Sequence, residues 1–262
     1  MITNSYTPLQ VREVFHLEFL RWFSRKISAG QYALKGGVNL RFFFKSIRYS
    51  EDMDIDLQRV SVEKIKKVTM DILAAKRFCD TLRFFGIREV VPPDIVKAKQ
   101  TDTTQRFKVH LITASGQDLF TKIEFSRRKA KGQAVVEPVP AGILRSYKMP
   151  PLIVPHYGAA AAVEQKIRAL ALRTVLQARD IFDLFLLSTQ LDASGRGLVN
   201  AAKADLAAAM NNVFQADFPL FRDSVVAYLE PEDQKAYASS AAWDEVKLNV
   251  SRFLEEFKDA RA

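Results

Sequence analysis

The chain has 262 residues, of which 48% are hydrophobic and 26% charged. That is the balance of a folded globular protein and excludes a disordered or fibrous one. Its single cysteine excludes a disulfide framework or a cysteine-based zinc cluster and predicts a cytoplasmic protein, while 39 Lys and Arg against 30 Asp and Glu leave a net charge of +9 that attracts polyanions such as nucleic acid. No apolar run nears the roughly 20 residues needed to cross a bilayer. The opening Met-Ile-Thr-Asn-Ser-Tyr-Thr-Pro lacks the basic start and apolar core of a secretory signal.

From Pro8 to Ile27 the apolar residues Val11, Val14, Phe15, Leu17, Leu20, Phe23 and Ile27 recur at helical spacing, which predicts an amphipathic helix opened by Thr7 and Pro8. Tyr32-Ala33-Leu34 reads as a short strand, Lys35-Gly36-Gly37 as a turn, and Val38 to Phe44 as a brief helix. Such a strand, Gly turn and helix suit a phosphate-handling junction. Asp52-Met53-Asp54-Ile55-Asp56-Leu57 alternates acid and apolar residues with period two, predicting a strand with its apolar face inward and its carboxylates outward.

Val62 to Phe85 reads as a second long helix closed by Gly86, with a turn beginning at Val90. Arg106 to Thr113 and Leu119 to Arg127 alternate on either side of a five-residue loop and predict an antiparallel hairpin, Ile123 and Phe125 facing one way and Lys122, Glu124 and Ser126 the other. The five prolines between Ala134 and Pro155 suit edge strands and a connection, and the domain boundary is expected there, giving domains 1–155 and 156–262. Beyond it the chain reads as Ala-rich helix carrying Val163, Lys166, Leu170 and Arg173. Further helices are expected from Asp180 and over 197–210, 218–229 and 242–258.

Carboxylates two apart on one strand face lie nearly 7 Å from each other and repel by about 2 kcal/mol at an effective dielectric near 20. A divalent cation relieves this best, since Mg²⁺ takes carboxylate oxygens together with substrate phosphates. The bland alternative is a solvated strand face with Arg48 and Arg59 as counter-ions.

Several motifs together resemble the AbiEii/AbiGii-type toxins, a branch of the DNA polymerase β-like nucleotidyltransferases that includes toxins of abortive-infection and type IV toxin-antitoxin systems. They are Lys35-Gly36-Gly37, Arg48-Tyr49-Ser50-Glu51-Asp52-Met53-Asp54, Lys122-Ile123-Glu124, Glu164-x-Lys166-x-x-Ala169-Leu170-x-x-Arg173 and Arg179-Asp180-x-x-Asp183-Leu184. The resemblance runs from about residue 10 to 190 and echoes more weakly through Trp243. It implies an α+β protein: a polymerase β-like nucleotidyltransferase domain with a small mixed sheet, followed by a helical domain, with the active site between them.

The resemblance makes Asp52 and Asp54 catalytic and metal-binding, Glu124 a third ligand for Mg²⁺ or Mn²⁺, and Asp56 an understudy. Gly36 and Gly37, with Arg48, Ser50 and Lys166, would bind the nucleoside triphosphate, and Lys166 and Asp180 complete the catalytic set. Where relatives often carry a small hydroxyl residue this chain has Val38, so phosphate contacts would rest on backbone N–H groups or Asn39. The implied acceptor is RNA, at the tRNA acceptor end, with an antitoxin encoded nearby. The runners-up are a protein hydroxyl as acceptor and a non-catalytic basic binding protein. Plainer readings accompany each residue: a tight turn for the Gly pair, a solvated lysine for Lys166, an N-cap with a capping-box partner for Asp180 and Asp183, turn closure for Ser50, and surface ion pairs for Arg48 and Arg173. His16, His110 and His156 repeat no metal or catalytic spacing and are expected to pack. Phe42, Phe43 and Phe44 could stack bases but suit a core better.

Overall fold

The structure, a computed structural model, describes residues 6–95, 98, 100–127 and 132–259. Among these the chain forms two compact units, one built from residues up to Asn39 and from Tyr49–His156, the other from Leu40–Arg48 and from Tyr157 onward.

The first unit opens with α1 (Pro8–Phe23), where Thr7 and Gln10 cap each other reciprocally and Pro8 fills the first turn. The helix forms where its spacing predicts, but it is buried on more than one face. Val11 and every residue from Glu13 to Leu20 are buried, and its acids are carried inside with partners. Glu13 accepts a 2.5 Å hydrogen bond from the Tyr147 hydroxyl, and Glu18 accepts one from Trp22 Nε1.

Next come β1 (Tyr32–Lys35), α2 (Gly36–Phe43) and β2 (Asp52–Leu57). The expected single helix over residues 62–85 is two, α3 (Val62–Leu73) and α4 (Lys76–Arg83), broken at Ala74 and Ala75. The break lets Ile65, Ile72, Leu73, Phe78 and Leu82 all reach the core, which one straight helix could not arrange. Gly86, at φ +79°, ends the second piece. The turn expected at Val90 is the end of a strand, β3 (Ile87–Val91), whose bulge between Ile87 and Glu89 breaks the alternation that would have revealed it.

The hairpin follows as β4 (Thr104–Thr113) and β5 (Asp118–Ser126), and the proline-rich stretch forms β6 (Ala134–Pro138), a short α5 (Ala141–Ser146) and β7 (Ile153–Tyr157). Among the described residues the sheet has seven strands in the order β3-β4-β5-β2-β1-β7-β6 and is mixed, since β2 runs parallel to β5 and antiparallel to β1. One face packs on aromatic side chains from the helices, with Phe23 and Phe125 ring centroids 5.4 Å apart and Phe15 edge-on to Phe78. The other face carries the charged side chains.

The second unit is helical. After α6 (Ala159–Leu172) and α7 (Ala178–Ser188), the expected helix over 197–210 is replaced by α8 (Ala193–Gly197), capped by Asp192, and α9 (Lys203–Val213). Then follow α10 (Phe218–Ser224), α11 (Pro231–Ala236) and α12 (Ser240–Asp259). The segment Glu230-Pro231-Glu232-Asp233 starts α11, because proline suits the first helical position. Trp243 stacks on Phe221 at 4.1 Å and donates to the Ala216 carbonyl, so the core of this unit closes around it. Phe42 is buried and Phe44 packs on this core, the structural role expected for them.

Candidate active site

Strand register gathers the charges of the first unit. Lys35 on β1 lies opposite Asp54 on β2, Asp54 beside Glu124 on β5, and Glu124 opposite Arg106 on β4. A row of alternately oriented pleats thus carries Lys35, Asp54, Glu124 and Arg106 on one face across four strands, with neighbouring strands about 4.8 Å apart. One step along, Asp52 lies beside Lys122.

In this row each outer acid faces a cation. Asp52 pairs with Lys122 at 2.8 Å, Glu124 with Arg106 at 2.6 Å, and Asp56 with Lys35. Asp54, partly buried, has no such ion pair among the described residues. Desolvation pushes its carboxyl pKa up, the nearby Glu124 and Asp52 add to the effect, and Lys35 and Lys122 only partly oppose it. Among the described residues, no group of three or more His, Cys, Asp or Glu side chains stands gathered as a ready metal site. Asp52, Asp54 and Glu124 nonetheless share one sheet face, and their hard oxygen donors suit Mg²⁺ or Mn²⁺.

Gly36 is bound to this arrangement twice over. Its φ is +69°, and a Cβ there would stand 2.6 Å from Asp54 Oδ2. The strand can therefore turn directly into α2, with the Asp54 carboxylate against the turn, only if the residue is glycine. Gly37 lies in the first turn of the same helix. Asn39 is not available for phosphates, because its buried Oδ1 lies 3.0 Å from His156 Nδ1. Ser50 closes the turn into β2 by donating to the Asp52 carbonyl at 2.8 Å.

Behind β2 a buried chain of hydrogen bonds fixes the start of the strand. His16 Nε2 lies 2.9 Å from Thr121 Oγ1, which itself donates to the Glu51 carbonyl at 2.6 Å, so Nε2 is the donor. Burial pushes the His16 pKa down to about 4 against the pull of Asp52, and the ring stays neutral. Arg12, one helical turn away, donates to the Phe120 carbonyl and pairs with Glu51. Sequence spacing gave no hint of this clamp, because its members meet only where α1 packs against β5 and the start of β2.

The second unit holds a buried ionic cluster. Arg48 grips Asp183 through Nε and Nη2 at 3.0–3.2 Å, Lys166 reaches Asp180 at 2.8 Å and Asp183 at 2.7 Å, and Arg173 pairs with Asp180 at 2.7 Å. Asp180 and Asp183 are fully buried and Lys166 nearly so. Burial opposes the Lys166 charge, but Asp180 and Asp183 outweigh it and its pKa is raised. For Asp183, Arg48 and Lys166 likewise overcome burial and hold the carboxyl below its usual range. The capping reading of Asp180 and Asp183 does not stand. Gln177 is the N-cap of α7, and both carboxylates point at cations. Nor are Arg48 and Lys166 the surface charges of the plainer reading.

A strand, a glycine turn that opens a helix and an acidic strand beside it make an arrangement that can take phosphates and a cation together. The model of the family described as nucleotidyl transferase AbiEii toxin, type IV TA system, matches residues 18–261, and the chain belongs to that family. It is a nucleotidyltransferase of the toxin class. Its fold is similar to that of MenT4, a nucleotidyltransferase toxin from Mycobacterium tuberculosis H37Rv, with a TM-score of 0.59 at 18% identity over 95% of this chain and 84% of that one. A nucleotidyltransferase structure from H. pylori gives 0.55 at 18% identity, over 95% of each chain. JHP933 from Helicobacter pylori gives 0.52 at 18% identity, over 95% of this chain and 92% of that one. No curated protein sequence matches the chain. Among the described residues, no helix is long and apolar enough to cross a membrane.

Proposed function

We propose that this toxin transfers a nucleotide from a nucleoside triphosphate to RNA, at the acceptor end of tRNA, with the help of Mg²⁺ or Mn²⁺, and that an antitoxin encoded nearby restrains it. The observation that carries the reading is Asp54: a desolvated carboxylate between two others, seated against a glycine that opens a helix. Such a charge is what a bound cation relieves.

Asp52, Asp54 and Glu124 would hold the cation, which supplies a lowered pKa for the attacking hydroxyl and counter-charge for the departing pyrophosphate. The RNA hydroxyl oxygen bonds to the α-phosphorus as the bond from that phosphorus to the bridging oxygen breaks; the hydroxyl proton is lost and pyrophosphate leaves. Gly36 and Gly37 bring the backbone amides of the α2 N-terminus toward the phosphates, as any side chain at the turn would hold them away. Lys166, with Arg48 and Arg173, offers three positive charges against the two of Asp180 and Asp183, and the surplus favours the charge that builds up on the phosphates. Asp180 holds Lys166 and Arg173 in position. Ser50 acts by fixing the turn into β2.

The test is one incubation of the purified protein with labelled nucleoside triphosphates, Mg²⁺, total tRNA and whole-cell protein. Label in tRNA, abolished by a chelator, is expected. Label in a protein band with none in tRNA would replace RNA by a protein hydroxyl as the acceptor.

A further inference from the structure

We propose that the open face of β4 and β5, next to the acidic row, is a platform for the unpaired 3′ end of the acceptor RNA, with Phe120 stacking a base and Lys108 meeting a phosphate. This rests on the RNA reading above.

Register places the platform. Along the hairpin, Glu124 lies opposite Arg106, Lys122 opposite Lys108 and Phe120 opposite His110. All six side chains share the face that carries Asp54. Each step is two residues, about 7 Å, so Phe120 stands roughly 13 Å along the strand from Glu124. The intervening residues Phe107, Val109, Leu119, Ile123 and Phe125 point to the other face and are buried. Phe120 itself is 45% exposed, an aromatic where the alternation calls for a polar residue.

Its surroundings are built for a ring and a phosphate rather than for an apolar partner. The Phe120 and His110 ring centroids are 4.1 Å apart, and the Lys108 ammonium lies 5.8 Å from the Phe120 ring. Asp118 holds His110 at 3.1 Å, and Arg12 anchors the Phe120 carbonyl at 2.7 Å, so the ring sits on a fixed strand. Apart from Asp54, the acids along this stretch of the face have partners: Asp118 with His110, Asp52 with Lys122 and Glu124 with Arg106. An exposed aromatic among cations is the arrangement that binds single strands with little regard for sequence, because every base has a face to stack. The sheet surface then leads the strand end toward the carboxylates that act on it.

The experiment measures binding of a fluorescein-labelled short single-stranded RNA and of a blunt RNA duplex, together with KM for tRNA and for the nucleotide. Phe120→Ala should weaken single-strand binding by about 5- to 150-fold, the range for losing one stacked base, and raise KM for tRNA in step. Nucleotide KM, duplex binding and melting temperature should stay unchanged. Phe120→Trp should restore binding, and Lys108→Ala should flatten the single-strand salt slope by about 0.7. If the native protein labels tRNA but Phe120→Ala leaves single-strand binding and tRNA KM unaltered, the platform is wrong and the RNA reading stands. A loss shared equally by duplex, or a shift in nucleotide KM, also overturns the platform. If the native protein labels only protein, both readings fall.

Discussion

At Asp54 folding takes water from a carboxylate that already has Asp52 and Glu124 for neighbours, and its pKa is raised because the folded state disfavours the charge. A folded-state pKa above the unfolded one means that the protonated group favours folding. That contribution is whole below the usual carboxylate range near 4 and is lost as pH rises through the raised value. Asp54→Asn should therefore abolish transfer yet raise the melting temperature at neutral pH, with the difference from the native protein shrinking as pH falls toward 4. Melting curves across pH, paired with transfer assays, check both halves. Gly36→Ala should fail in the opposite sense. It places a Cβ 2.6 Å from Asp54 Oδ2 at a φ of +69°, so melting temperature and transfer should fall together. The backbone term alone costs about 1–2 kcal/mol. The acidic alternation marked Asp52, Asp54 and Asp56 in the sequence; that Lys122 pairs with Asp52, Lys35 with Asp56 and Arg106 with Glu124 becomes visible only with strand register.

Among the elements, β2 runs over the residues its alternation predicts, Asp52–Leu57, because a strand half-buried on one face leaves a period-two record. The division of residues 62–85 into α3 and α4, and the bulged β3, left no such record. Helices α6 and α7 show the same limit in their chemistry. Their spacing placed Lys166, Asp180 and Asp183 on helices, but not that these residues and Arg48 would be buried against one another. Burial sets two predictions. Asp183→Asn leaves Arg48 and Lys166 without their shared counter-ion and should cost about 3–5 kcal/mol, read by denaturant melts. The Asp183 contribution is present above the usual carboxylate range and lost as pH falls through its lowered pKa, while that of Lys166 is present below about 10.5 and lost as pH rises through its raised one. The cluster thus supports the fold throughout the neutral range. Lys166→Ala should slow transfer by about 10²–10³, the usual scale for losing one electrostatic stabiliser of a transition state. Lys166→Arg should recover part of it. A wild-type rate with wild-type nucleotide affinity would reduce Lys166 to a structural role.

For the whole molecule the net charge of +9 sets the prediction. Docking a tRNA acceptor arm neutralises several phosphates at once, and for about five of them log K should fall with log salt at a slope near −4 to −5. Arg168, Arg173 and Lys203 are exposed and Arg196 partly so. Charge reversal at Arg168 and Lys203 should flatten the slope by about one for each phosphate left without its cation, measured by tRNA binding between low and moderate salt. The sequence by itself determined the class of fold, the family, the acidic strand and its glycine turn. The strand and the turn depend on local period and on residue types that tolerate special backbone angles, which are properties of neighbours along the chain, and the family and fold class came through the motifs that resemble known toxins. Only the tertiary structure decided that α1 would be a buried helix, that His16, Thr121 and Glu51 would clamp the start of β2, and that Arg48 would be buried with Asp183 and Lys166. Those contacts join residues far apart in sequence, and what each group does to its partner's charge depends on how much water the packing removes.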